Sequence, residues 1–197
     1  MADNFATAGV YLIQTFFGLY LILVMLRFLM QIARADYYNP LCQAIVKITD
    51  PPIVPLKRMM PTVRGVDFAT LTVALIVQLI TIMLVMMLQG YPVFSPVYIP
   101  WTLLGIFGLI FDIYFFALII MVIASWIAPF STHPALILVR QITEPVCAPA
   151  RALLPPMGGI DFSIILVFVA ITIIDNILVV RPLAQMLGVP RGLILGI

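Results

Sequence analysis

The sequence predicts an all-α membrane protein. Four transmembrane helices come from two tandem hairpin repeats inserted in the same orientation, each with a long Pro-rich cytoplasmic loop that contains a short amphipathic helix. Three observations predict this. Hydrophobic residues fill 64% of the 197 positions and charged residues only 9%, whereas charged residues make up about a quarter of a soluble domain. Four segments each supply the roughly 20 mostly apolar residues that a spanning helix needs. Finally, Asn39–Phe68 (NPLCQAIVKITDPPIVPLKRMMPTVRGVDF) recurs without a gap, 94 residues later, as His133–Phe162 (HPALILVRQITEPVCAPARALLPPMGGIDF).

The recurrence is concentrated on residues that shape the backbone. Pro40, Thr49, Pro51, Pro55, Pro61, Gly65 and Asp67 return as Pro134, Thr143, Pro145, Pro149, Pro155, Gly159 and Asp161. Asp50 keeps its charge as Glu144, and Lys57 as Arg151. A match at fixed period on Pro, Gly and Asp indicates one supersecondary unit used twice. The units divide at residues 1–100 and 101–197, with long loops at 33–67 and 128–161.

The predicted spans are Ala8–Ile32, Phe68–Leu88, Trp101–Ile127 and Phe162–Val180. The first is too long for a cleaved signal and lacks a basic leader, so it is expected to be retained. Two spans per unit return the chain to its starting side, so both long loops share one membrane face. Arg34, Lys47, Lys57, Arg58, Arg64, Arg140 and Arg151 lie in those loops, against Arg181 and Arg191 beyond the last span. The positive-inside rule then places the loops in the cytoplasm and both termini outside. The residues after Pro182 are too short and broken to span, and are expected along the outer interface.

Within each loop, Leu41, Ala44, Ile45 and Ile48 recur at helical spacing, as do Leu136, Ile137, Val139 and Ile142. Thr49-Asp50-Pro51 and Thr143-Glu144-Pro145 are expected to stop that helix, because a residue before proline is pushed out of the helical region. Pro55, Pro61, Pro149 and Pro155 then leave a kinked, stiff segment. Gly65 and Gly159 permit a turn, after which Asp67 and Asp161 cap the next span against its dipole.

Catalytic signatures are absent from the chain: it has no Gly-rich phosphate loop, Ser-His-Asp set, HExxH or CxxC. Its one histidine, His133, and two non-equivalent cysteines make no metal site, and no cofactor is implied. The net charge of +2 is too small to argue for nucleic acid. The partners expected are the lipid bilayer, another membrane or cytoplasmic protein, and a second copy of the chain.

Two intramembrane carboxylates lie at similar depth, Asp112 about 22 Å and Asp175 about 20 Å above the loop face at 1.5 Å per residue. Such a group costs about 2.5–3.5 kcal/mol at the centre of a span, so it faces a partner or water. One reading is a polar pair, joined by Asn176, Gln78 or Thr81, that binds a cation or shares a proton; the plainer one is an interhelical or intersubunit hydrogen bond. Arg27 lies within snorkelling reach of the headgroups, and anchoring is favoured over a buried ion pair. Asp67 and Asp161 read as helix caps before ligands. Lys57, Arg58, Arg64, Arg140 and Arg151 form either a docking face or a topology signal with lipid contacts.

The doubled pattern Asn/His-Pro, Thr-Asp/Glu-Pro, a proline followed by Lys57 or Arg151, then Pro, Gly and Asp resembles the YggT family of small bacterial membrane proteins, which has YlmG-type plastid relatives. The family pattern also carries an arginine near the end of the first span of each unit and a tryptophan five residues later. Here Arg27 supplies the first, with Ile32 in place of the tryptophan; Trp126 supplies the second, with Met121 in place of the arginine. The resemblance implies a multi-pass protein of the bacterial inner membrane that is not an enzyme, with bacterial roles in osmotic-stress tolerance and potassium supply and plastid roles in cytochrome maturation and nucleoid or division organisation. Two functions follow as expectations: a scaffold whose paired loops dock a partner, and a small ion-handling protein that uses Asp112 and Asp175.

Overall fold

Among the described residues, four helices are long and apolar enough to cross a membrane: Phe5–Ile32, Phe68–Leu88, Tyr98–Ile127 and the segment Ser163–Met186. The computed structural model describes residues 2–60, 62–63, 65–128, 131–154, 163–190 and 192–194; Pro61, Arg64, Pro155, Gly159, Asp161 and Arg191 lie outside the described residues. Among the described residues, the chain opens with α1 (Ala2–Ile32) and α2 (Pro40–Lys57), followed by a two-stranded hairpin, β1 (Thr62–Val63) with β2 (Val66–Asp67). Then come α3 (Phe68–Leu88), α4 (Tyr98–Ile127), α5 (Pro134–Leu153), α6 (Ser163–Ile173), a π turn (Ile174–Leu178) and α7 (Val180–Met186).

The largest difference from the sequence reading is in the loops. Pro51 and Pro145 do not stop the loop helices, because α2 runs on through Pro51, Pro52 and Pro55, and α5 through Pro145 and Pro149. An internal proline removes one backbone donor and costs about 3 kcal/mol when the freed carbonyl is left dry. Here Pro51, Pro55, Pro145 and Pro149 all lie on exposed faces, as do Lys47 and Ile48, whose carbonyls lose their donors. On the opposite face Cys42, Ile45, Thr49 and Ile53 of α2, and Leu138, Ile142, Cys147 and Ala150 of α5, are buried. Tertiary packing of that stripe outweighs the local preference.

Both loop helices start on a polar cap followed by proline. Asn39 Oδ1 accepts from the Leu41 N–H at 2.9 Å, and His133 Nδ1 accepts from the Ala135 N–H at 3.2 Å. Proline at the first helical position needs no donor partner and already has a helical φ. Upstream, α1 ends where Arg34 takes φ +52°, with the Ala35 N–H reaching Met30 O at 2.9 Å and the Arg34 N–H reaching Gln31 O at 3.2 Å. This pair of bonds is the Schellman closure, in which a left-handed residue satisfies the last carbonyls.

The core is shared between spans and loop helices: Leu21, Val24 and Met25 of α1 pack in one cluster with Val73 of α3, Leu118 of α4, Ile53 of α2 and Ile142 of α5. The loop helices are therefore docked onto the spans as well as amphipathic.

Beyond Pro182, Leu193 and Ile194 are 4% and 3% exposed and pack with Ile82, Met86 and Trp101, so this stretch folds back onto the helices. Gln14 Nε2 donates to Gly192 O at 2.7 Å and Trp101 Nε1 donates to Leu187 O at 3.0 Å, which fixes the segment against α1 and α4.

Candidate functional site

Two groups of polar residues stand out, one where the loop helices meet the spans and one between the spanning helices α4 and α6. The first is built on α1 and α2. Arg27 does not snorkel: its side chain is 7% exposed and its guanidinium lies 2.8 Å from Asp50 Oδ1. The same nitrogen donates to Thr49 Oγ1 at 2.9 Å and to Val46 O at 3.2 Å. One charge thus ties the middle of α2 to the end of α1. At the equivalent place in the second unit, Thr143 Oγ1 donates to Met121 Sδ at 2.7 Å, and Glu144 instead pairs with Arg151 at 2.8 Å.

Lys57, placed by sequence among docking cations, reaches Asp67 Oδ2 at 2.7 Å, and Asp67 is fully buried. Asp67 also accepts from the Ala69 and Thr70 N–H groups at 3.1 and 3.3 Å and from Thr70 Oγ1 at 2.8 Å. Burial pushes this carboxyl up, but hydrogen bonds from Lys57 and Thr70 outweigh it and hold the group below the usual carboxylate range. The β1–β2 hairpin aligns this contact by pairing Thr62 with Asp67, while Gly65 turns at φ +85°. Lys57 and Arg151 are thus both engaged within the protein, whereas Lys47 and Arg58 line an exposed stripe of α2 with Ile48, Pro51 and Val54. Arg140 is exposed on α5.

The loop helices hold each other. Asn39 Nδ2 donates to Pro134 O at 2.8 Å, and the Asp36 N–H donates to Gln141 Oε1 at 3.1 Å. Asn39 therefore caps its own helix with one amide atom and grips the start of α5 with the other.

The second group lies between those two spans. Asp112, Thr172, Asp175, Asn176 and Arg181 line one cavity of about 200 Å³, walled by Phe111 and Phe115. Asn176 Nδ2 donates to Thr172 O at 3.0 Å, while Asp175 Oδ1 is buried without a hydrogen-bond partner among the described residues. Arg181 makes no direct ion pair with either carboxylate among the described residues. Pro182 explains the local backbone. It lacks the donor that would close on Leu178, so the helix widens to a π turn, with the Val179 N–H on Ile174 O at 2.9 Å, and restarts as α7. Gln78 and Thr81, expected beside these carboxylates, line a different cavity with Gln14. Neither Gln14 nor Arg181 is prominent in the sequence, because an isolated polar residue near a span end reads as an interface residue.

A family model described as CCB3/YggT matches residues 6–88 and again residues 100–182. The chain belongs to the CCB3/YggT family. Family relatives include an uncharacterized protein of Pseudomonas aeruginosa, 46% identical over 189 residues and covering 95% of both chains. A Vibrio alginolyticus protein encoded in the proC 3′ region is 36% identical across 82% of this chain and 88% of its own. Escherichia coli YggT is 35% identical across 84% of this chain and 86% of its own. No solved structure matches the chain significantly. Among the described residues of this YggT-family protein, no His, Cys, Asp and Glu group is arranged to hold a metal ion.

Proposed function

We propose that this YggT-family protein is a scaffold or assembly factor of the bacterial inner membrane, whose two loop helices form one cytoplasmic platform for a partner protein. The observation that carries this reading is the grip of Asn39 on Pro134 O, backed by Asp36 on Gln141, because it makes two separate loops one rigid surface. The tandem architecture supports it: two units, 1–100 and 101–197, with parallel hairpins, loops inward and termini outside. Two family-model matches and the basic loop residues favour that arrangement.

The platform's contact residues are Lys47, Ile48, Val54 and Arg58, since Lys57 and Arg151 hold the fold together. A photo-crosslinking residue at Ile48 or Val54 should give a discrete protein adduct in native membranes, lost on Lys47→Glu/Arg58→Glu. A control at lipid-exposed Phe107 should give none. Equal adducts from Phe107, or none from Ile48 and Val54, would remove the reading.

A second reading rests on the Asp112–Asp175 cavity. Two carboxylates, Asn176 and Arg181 around a π turn form a polar cavity that binds a cation or shares a proton. This fits the osmotic-stress and potassium roles that the family resemblance implies.

A further inference from the structure

The duplication carries a polar cavity in each unit. At the constant offset of 94, Gly18, Gln78 and Thr81 correspond to Asp112, Thr172 and Asp175. The second set lines the carboxylate cavity; the first lines a cavity of about 180 Å³ with Gln14 and, among the described residues, no charged one. Gln78 is 2% exposed, faces that cavity and has no hydrogen-bond partner among the described residues. An amide that faces such a space without a protein partner is satisfied by water or by a guest within it.

What closes the cavity is the end of the chain's own second unit. Gly192 and Leu193 line both this cavity and a larger cup of about 700 Å³ that opens past Ala6, Tyr11 and Gln89. The segment is thus the partition between the two. It is held by Gln14 Nε2, at 2.7 Å from Gly192 O and 3.3 Å from Leu193 O, and by burial of Ile194. Its seat exists because residue 105 is glycine: a Cβ there would overlap the Ile194 side chain and come within 2.8 Å of Gln78 Nε2. Gly188, upstream of the segment, and Gly192, its first residue, take φ +64° and +72°, where glycine turns without strain.

We propose that Gly192–Ile194 is a lid over a binding cavity at Gln78 that takes small uncharged hydrogen-bonding molecules. The lining sets the guest class. Gln78 offers two donors and an acceptor; Thr81 Oγ1 donates to Val77 O at 2.7 Å and keeps acceptor capacity; Gln14 turns its donor to the lid, leaving its carbonyl oxygen. Among the described residues, nothing there compensates a net charge, in contrast to the cavity of the second unit. The space holds a few waters, at about 30 Å³ each, or one compact solute. Lifting the lid joins cavity and cup into one path from the surface to Gln78.

The test uses the full chain with Cys42→Ala and Cys147→Ala and a reporter thiol at Thr81→Cys, or at Gly18→Cys should the first fail to fold. Labelling by methyl methanethiosulfonate, a small uncharged reagent that attacks a hydrated thiolate, is compared among the lidded protein, Ile194→Asp and Gly105→Ala. Both substitutions should raise the rate by about tenfold or more, as expected when a local opening becomes the resting state. The anionic sulfonatoethyl reagent, normalised to its rate at an exposed Gln89→Cys, should remain slower than the neutral one. Equal rates in all three proteins, or no labelling of a thiol that reacts once unfolded, would overturn the lid. Equal normalised rates for the two reagents would overturn the uncharged guest class.

Discussion

Arg27 and Asp50 lie 2.8 Å apart, with the guanidinium buried and the carboxylate half-exposed, and the equivalent pair in the second unit is Met121 and Glu144. A charge in one unit is thus replaced by a thioether in the other without loss of the underlying contact, since Thr49 and Thr143 each reach back to the residue at the first position. The asymmetry predicts unequal costs. Asp50→Ala leaves a buried guanidinium unpaired and should destabilise by about 3 kcal/mol, whereas Arg27→Met removes the buried charge itself and should cost about 1 kcal/mol. Reversible unfolding in mixed micelles measures both; a larger cost for Arg27→Met would show that the charge pair is not the source of stability.

The Lys57–Asp67 contact predicts an acid-sensitive junction between the loop and α3. Because the Asp67 pKa is lowered in the folded protein, its contribution is present above the unfolded value, about 3.9, and is lost as pH falls below that toward the folded value. Asp67→Asn should lower stability by about 2–3 kcal/mol at neutral pH, through loss of ion pair and cap together. It should also flatten the acid limb of the stability curve. Curves of wild type and variant that stay parallel below pH 4 would refute this.

Asn39 offers a way to separate capping from coupling. Asn39→Asp keeps an oxygen for the Leu41 N–H but loses the donor to Pro134 O. Helix content should persist while about 1 kcal/mol of coupling disappears. Spin labels at Ile48 and Glu144 should then show a broadened distance distribution between α2 and α5. An unchanged distribution would mean that the grip is dispensable for a common platform.

Arg34 sits at φ +52° in a closure that favours glycine. Arg34→Gly should stabilise the protein by about 1 kcal/mol, by removing the left-handed penalty of a side chain. A decrease in stability would mean that the guanidinium makes a compensating contact with headgroups.

For the second functional reading, purified protein in liposomes should pass a monovalent cation, with flux altered by Asp112→Asn or Asp175→Asn, because both carboxylates line one cavity. Flux no greater than that of empty vesicles would eliminate ion handling and leave the platform.

The chain by itself determined the features that depend on composition and short-range stereochemistry. Apolar runs long enough for a bilayer set four spanning helices, and Asn39, His133 and Asp67 set helix starts, because a cap needs only its next few residues. Sequence also brought Asp112 and Asp175 to one depth, by rise per residue alone. The tertiary structure decided the rest. Pro51 and Pro145 stop a helix only when nothing else holds it, and the buried stripes of α2 and α5 supply that hold. Whether Arg27 snorkels or pairs depended on Asp50 reaching it from another helix, and local spacing contains no such distance. The seat of Ile194 against Gly105 joins residues far apart in sequence, through a space that exists only once the helices have packed.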